Sequence, residues 1–379
     1  MGNGGARKRI VSLDAARGVA VMLAMLSHSF VVFGPDNPVS PLTRLATPTF
    51  VVLLGAMLEI VYLRRLRRGT DLTGMRRRLA ERAILCYVLF ALITIAGFLT
   101  GKMGWFDALQ AVTYTANGRF GTILKLYAIL FLVIILILPL FRRYGGAALA
   151  AVALVGWTMK VALAGLGVPG IYFLDFLFGY AAGGFGPSIF PSFAFVAFGF
   201  WIGEAMNGNR SAVLPGLVLA MALLGLWMTL GEVSYAGIGD LVTWAKRSGD
   251  HPDYYVFGIL GSALLIWVCS LLGRVAALID GLCFLGRQTL FLYGFGNILL
   301  TSLPVYRGES VAVSLYLIGL FMVVLVALSV DRLREGSLIH AVLGPLPGRI
   351  AAGYARTVDR LLDRVFPPAG PAGASARSG

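Results

Sequence analysis

The feature that most constrains this chain is the recurrence of apolar runs long enough to cross a bilayer. A hydrocarbon layer about 30 Å thick needs about 20 largely apolar residues in a helix. Ten such stretches can be drawn, over 10–33, 45–63, 83–101, 122–141, 147–167, 191–206, 213–232, 255–273, 278–300 and 311–330. Composition agrees: 58% of the 379 residues are hydrophobic and only 13% are charged, against about 25% charged in soluble domains. Such a chain cannot cover a water-facing surface. The reading is an all-α polytopic membrane protein, a single bundle of about ten transmembrane helices over 1–331. A basic amphipathic tail follows over 332–366, and 367–379, rich in Pro, Gly, Ala and Ser, is expected to be disordered. No internal repeat is evident, which weakens the inverted-repeat signature of many transporters.

The net charge of +14 would suggest nucleic acid in a soluble protein. In a membrane protein it is first a topology signal, because Lys and Arg gather in cytoplasmic loops. With the N-terminus inside, 22 of the 32 basic residues fall in inner segments and seven in outer ones. Both termini are therefore expected to be cytoplasmic, nucleic acid is not an expected partner, and the tail is expected on the anionic inner leaflet. The basic start at Arg7-Lys8-Arg9 precedes a run containing Asp14 and Arg17 with no cleavage site, so it reads as a retained first helix. Cys86, Cys269 and Cys283 lie far apart in apolar stretches and read as ordinary buried thiols. The outer connections 101–121, 168–191 and 231–254 are rich in aromatics and glycine. They are either re-entrant pieces lining a cavity or interfacial anchors.

Against this background the first helix stands out. It carries Asp14, Arg17 and His28, and ionisable groups inside a membrane span are a functional site by default. At about 100° per residue the eleven steps from Arg17 to His28 return to within roughly 20°, and Asp14 lies within about 60° of both. One face thus presents a guanidinium near its inner end and an imidazole about 16 Å further out. The plainer alternative is an Asp14–Arg17 pair neutralising itself at the interface and a satisfied structural histidine.

Ser12-Leu13-Asp14-x-x-Arg17-Gly18, with ten residues between the arginine and His28, resembles the first helix of the membrane acyltransferase type 3 family. Arg44-Leu-Ala-Thr-Pro48-Thr-Phe50 with Leu54-Gly55 is similar to that family's second span. The segment Leu285-Gly286-Arg287-Gln288-Thr289-Leu290-Phe291-Leu292-Tyr293 is similar to its late motif. The closest tone is the glucan-succinylating branch. Many relatives carry a histidine three residues after the late tyrosine, where this chain has Gly296. The resemblance implies transfer of an acyl group from cytoplasmic acyl-CoA to an extracytoplasmic glycan or lipid headgroup. His28 would be the general base, Arg17 would hold an anionic part of the donor, and Asp14 would orient Arg17. Arg44, Arg287 and Tyr293 are the candidate substrate contacts. Arg68 and Arg76, among eight arginines over 64–82, are candidate donor-phosphate contacts, although that cluster is first of all a positive-inside anchor. A transporter or flippase with these charges along its path is the rival, and a lysosomal-type glucosaminide acetyl transfer fits less well. Glu59, Lys160 and Glu204 are buried-charge candidates needing partners; His251 and His340 read as solvated and interfacial. No phosphate loop, zinc spacing or serine triad appears, so no metal is expected.

Overall fold

A computed structural model of the chain describes residues 11–34, 40–64, 72–181, 186–209, 211, 247–272, 275–306, 310–333 and 364. Among these every regular element is helical: a four-residue helical turn, Ser40–Thr43, and the helices α1 (Val11–Phe33), α2 (Ala46–Met57), α3 (Leu72–Leu99), α4 (Trp105–Val112), α5 (Thr122–Tyr144), α6 (Gly146–Gly165), α7 (Tyr172–Phe178), α8 (Phe193–Met206), α9 (Pro252–Leu272), α10 (Ala276–Arg287), α11 (Thr289–Ser302) and α12 (Val311–Asp331). α2 continues into a π-helical turn, Leu58–Leu63. Seven spans in this set are long and apolar enough to cross a membrane: α1, α2 with its π turn, α3, α5, α6, α9 and α12. The chain is an all-α polytopic membrane protein. The expected span over 213–232, Arg68, His340 and nearly all of the tail lie outside the described residues.

Two expectations need correction. The third span does not begin near 83; α3 starts at Leu72, because arginine is a good helix former whose stem can run along an apolar surface. Arg76 is therefore a buried helix residue rather than part of a loop. The ninth span is not one helix over 278–300. It breaks at Gln288, which closes α10 and opens α11 with φ −94° and ψ 10°. The Thr289 hydroxyl donates to the Gly286 carbonyl (2.7 Å), supplying a bond that the interrupted helix ladder lacks.

α1 is the hub, packed on α2, α9, α10, α11 and α12. Glycines permit its closest crossing. A Cβ on Gly18 would lie 2.1 Å from the Leu282 carbonyl oxygen of α10, and one on Gly286 would lie 1.9 Å from that of Asp14. The first-helix glycine and the late-segment glycine are thus the two halves of one backbone contact. α2 and α8 repeat the device, with Gly55 against Val196 and Gly199 against Val52. Small residues let helices in lipid approach this closely. Gly18→Leu is expected to cost roughly 3 kcal/mol from overpacking, read as a lowered unfolding temperature of the purified protein; unchanged stability would sink this account of the crossing. The outward faces of α6 and α12 remain apolar and exposed, with Leu154 and Val161 on α6 and Tyr316 and Val323 on α12, as lipid contact requires.

Candidate functional site: two cavities along the first helix

α1 carries its polar groups to two cavities. The first, about 330 Å³, is lined by His28 and Ser27 of α1, Thr47 and Phe50 of α2, Arg44 just before α2, Arg119 and Phe120 just before α5, Ile123, Arg247 and Tyr293. The second, about 370 Å³, is lined by Arg17, the C-terminal part of α2 with its π turn, Arg82 and Cys86 of α3, Tyr127 of α5, Arg287 and Tyr293. Arg17 and His28 therefore open onto different cavities about 16 Å apart along one helix. Phe50, Ile123 and Tyr293 line both cavities and form the septum between them.

The septum is held rather than loosely packed. The Tyr293 hydroxyl donates to the Phe120 carbonyl at 2.9 Å. The Tyr127 hydroxyl donates to the Phe50 carbonyl at 2.5 Å, and the Phe50 and Tyr293 rings meet edge to face at 6.4 Å. Edge-to-face pairs add about 0.5–1.5 kcal/mol beyond their burial.

His28 is oriented by three neighbours. Its ring stacks on Phe120 (4.9 Å) and meets the edge of Tyr293 (5.7 Å). Its Nδ1 lies 2.6 Å from Oδ1 of Asn297. The Asn297 amide nitrogen donates to the Tyr293 carbonyl at 2.8 Å. A carbonyl only accepts, so the NH₂ end of Asn297 must face Tyr293 and its oxygen must face His28. Nδ1 of His28 then carries the proton and donates it, which leaves Nε2 as the lone-pair nitrogen. Asn297 was not singled out in the sequence. It neighbours Gly296, where a Cβ would come within 2.8 Å of the end of the Met25 side chain.

The other expected site residues divide. Arg17 pairs with Asp14 at 3.5 Å, and Asp14 lines neither cavity among the described residues, which suits an orienting role. Arg44 joins His28. Tyr293 belongs to both cavities. Arg287 does not reach His28: it lines the Arg17 cavity and donates through Nε to the Cys283 carbonyl. Arg76 lines neither cavity; Arg82, six residues on and about 120° round the helix, takes that place. Arg119 and Arg247 are additions with no feature in the sequence to select them. Glu59, in the π turn, is buried and accepts from the Asn207 amide at 3.4 Å.

The connecting segments brace this centre. α4 keeps Trp105, Phe106 and Leu109 exposed. In the 168–191 connection Asp175, Phe176, Tyr180, Ser188 and Ile189 are instead buried. Lys125 is fully buried in the first turn of α5. Its Nζ donates to the Ala116 carbonyl (2.8 Å) and lies 4.8–5.6 Å from the ring centres of Tyr114, Tyr172, Phe176 and Phe90. This box ties α7 to the segment leading into Arg119 and Phe120. Lys125→Met is expected to cost about 2 kcal/mol through lost cation–π and hydrogen-bond contacts, with faster amide hydrogen exchange around 113–120; unchanged exchange there would count against the bracing role.

Asp250 is fully buried. The Ser188 amide donates to both its oxygens (2.9 and 3.2 Å) and the Tyr255 hydroxyl donates at 2.6 Å. Burial pushes its carboxyl above the ordinary range, against the pull of those bonds and of Lys160. Lys160 donates to the carbonyls of Gly249 and Asp250. In the same turn Arg247 donates through Nε to the Gly186 carbonyl at 2.9 Å, which fixes its direction. His251 lies 3.2 Å from the Asp253 carboxylate. The three cysteines are free thiols.

Set against protein-family models, curated proteins and solved structures, the chain matches none.

Proposed function

We propose that the chain is a cytoplasmic-membrane O-acyltransferase of ten transmembrane helices with both termini inside. It moves an acetyl or succinyl group from cytoplasmic acyl-CoA to a hydroxyl of an extracytoplasmic glycan or glycolipid. One observation carries this reading. Two cavities lie end to end along α1, one holding an oriented imidazole and the other holding Arg17, Arg82 and Arg287, with a three-residue septum between them. A reaction that draws a phosphate-bearing donor from one face and an acceptor from the other needs this division. Guanidinium groups suit phosphate geometry, so the donor's nucleotide end belongs with Arg17, Arg82 and Arg287. Its pantetheine arm spans the septum and delivers the thioester to His28.

There Nε2 of His28 takes the proton of the acceptor hydroxyl as the oxygen attacks the thioester carbonyl. Arg44 faces the same cavity and offsets the charge developing on the carbonyl oxygen. The carbon–sulfur bond then breaks, and the imidazolium returns the proton to the departing thiolate. Asn297, accepting from Nδ1, stabilises the imidazolium between the two transfers. Two cavities separated by a septum also suit a flippase, so the rival stays testable.

The deciding experiment compares envelope glycans and lipids by mass spectrometry from cells with the wild-type chain, with His28→Ala at equal expression, and without the chain. A mass increment present only with the wild type supports transfer and names the acyl group. An increment unchanged in His28→Ala overturns it. Substrate flux across vesicles lacking any acyl-CoA would favour the flippase.

A further inference from the structure

The chain turns back on itself immediately after α3. Gly101 sits at φ 68°, and the amides of Lys102 and Met103 both donate to the Gly97 carbonyl (2.9 and 3.2 Å). α4 then runs along α3 in the opposite direction. At its start Trp105 meets the Phe98 ring edge-on at 5.7 Å. At its far end the Tyr87 hydroxyl donates to the Val112 carbonyl (3.2 Å), and the Tyr87 and Tyr114 rings stack at 5.9 Å. Eleven positions of α3 separate Phe98 from Tyr87, about 16 Å of descent. α11 gives a second measure. The Thr100 hydroxyl comes within 3.3 Å of the Thr301 carbonyl, which sets the ends of α3 and α11 level. Eight positions before Thr301, Tyr293 donates to the Phe120 carbonyl, so Phe120 lies about 12 Å beneath that level.

Non-helical backbone at membrane depth is tolerated only where protein or water satisfies it. The stretch that leaves α4 and leads to α5 has that provision. The carbonyls of Val112, Ala116 and Phe120 accept from Tyr87 of α3, Lys125 of α5 and Tyr293 of α11. The Thr115 and Ala116 amides close on the Gln110 carbonyl (2.9 and 3.2 Å). Gly118 and Gly121 press on the fully buried Phe90, since a Cβ on either would come 2.5 Å from its ring. A loop lying in water has no need of side-chain donors from three separate helices.

The other side of α4 is apolar. Trp105 and Phe106 are 65% and 67% exposed and Leu109 is 45% exposed, while Ala108 and Ala111 are buried. Ile95, Phe98 and Leu99 are also exposed, on a helix long and apolar enough to cross a membrane. Through the Phe98–Trp105 contact the two apolar faces are continuous.

We propose that residues 101–121 form a re-entrant hairpin whose exposed face, Trp105, Phe106 and Leu109, lies against the acyl chains of one lipid leaflet. Its deep end carries Arg119 and Phe120 to the wall of the His28 cavity. The partner of this face is lipid hydrocarbon, as the continuous apolar face of α3 requires. That the leaflet is the outer one rests on the topology proposed above; the insertion itself needs neither that topology nor acyl transfer. With acyl transfer, the acceptor hydroxyl has to reach below the ends of α3 and α11 to meet His28.

The experiment reads tryptophan emission from the purified full-length protein in nanodiscs of phosphatidylcholine. The lipid is either plain, brominated near the top of its acyl chains, or brominated near their middle. Trp105 is one of six tryptophans, so its signal is the difference between the wild type and Trp105→Phe. A second probe, Leu109→Trp added to Trp105→Phe, reports one turn further along α4. Both signals are expected to fall by more than half in brominated lipid and to change little with aqueous iodide. Shallow bromines are expected to quench Trp105 more strongly, and deep bromines the probe at 109. Quenching of Trp105 by iodide and not by brominated lipid overturns the lipid contact, and the wild type with Trp105→Phe alone decides that point. Equal depth for the two probes makes α4 a helix lying flat at the surface and overturns the hairpin. Neither outcome bears on product acylation, which is read separately.

Discussion

His28→Gln is expected to lower acyl transfer by about a hundredfold to ten-thousandfold, the range attached to loss of a positioned general base. Glutamine keeps a polar side chain of comparable reach but has no nitrogen that can take a proton at neutral pH. Expression and helix content should be unchanged, because His28 lies beside a cavity and is not clamped in the α1–α10 crossing. The measurement is the initial rate of label transfer from acyl-CoA to envelope acceptor in membrane vesicles, normalised to the amount of protein. A rate within a few fold of wild type would remove His28 from the chemistry and with it the proposed mechanism.

The second large effect is expected at a residue with no acid–base chemistry of its own. Asn297→Leu should reduce transfer by roughly a hundredfold to a thousandfold with little change in the apparent KM for acyl-CoA. The Asn297 oxygen accepts the proton of Nδ1 and so keeps the lone pair on Nε2. Without an acceptor the imidazole is free to exchange tautomers and turn on Phe120, and the imidazolium loses its partner. Loss of a tautomer-fixing partner costs a catalytic triad about ten-thousandfold; a neutral amide contributes less than a carboxylate, hence the smaller figure. Asn297→Asp separates positioning from fold. It still accepts from Nδ1, and it is expected to retain most of the rate while moving the pH profile upward, because an anion beside the ring favours the protonated imidazole. Equal loss in the Leu and Asp variants would reduce Asn297 to a packing residue.

Which parts were legible in the sequence follows from the range of the interaction involved. The ends of α1, α5, α9 and α12 fall within a few residues of the expected spans, because each apolar run stops at a charge, a glycine or a proline. The shared face of Arg17 and His28 is a property of one helix, and periodicity alone carries it. Composition was a poorer guide where polarity and helicity part company. The arginines of 76–82 look like a loop yet form the first turns of α3, and the apolar stretch around Gln288 looks continuous yet contains a break. The partners of His28 were out of reach. Asn297 lies 269 positions away, and Arg119 and Arg247 are ordinary loop cations until packing brings them to one wall. The burial of Lys125 was out of reach for the same reason, since four rings from three segments make its box.

The septum of Phe50, Ile123 and Tyr293 has an electrical consequence. In an energised bilayer, voltage falls mainly across insulating material, and the side chains bordering both cavities are this trio. Under the proposed function, a charged group carried from the Arg17 side to the His28 side works against the share of the potential that falls across them, up to about 2.3 kcal/mol per charge for each 100 mV. A neutral acyl chain passes without that work. Turnover in vesicles clamped at different potassium diffusion potentials should therefore be voltage-sensitive for a dicarboxylic donor and flat for an acetyl donor; identical behaviour of the two would mean that the field is dropped elsewhere.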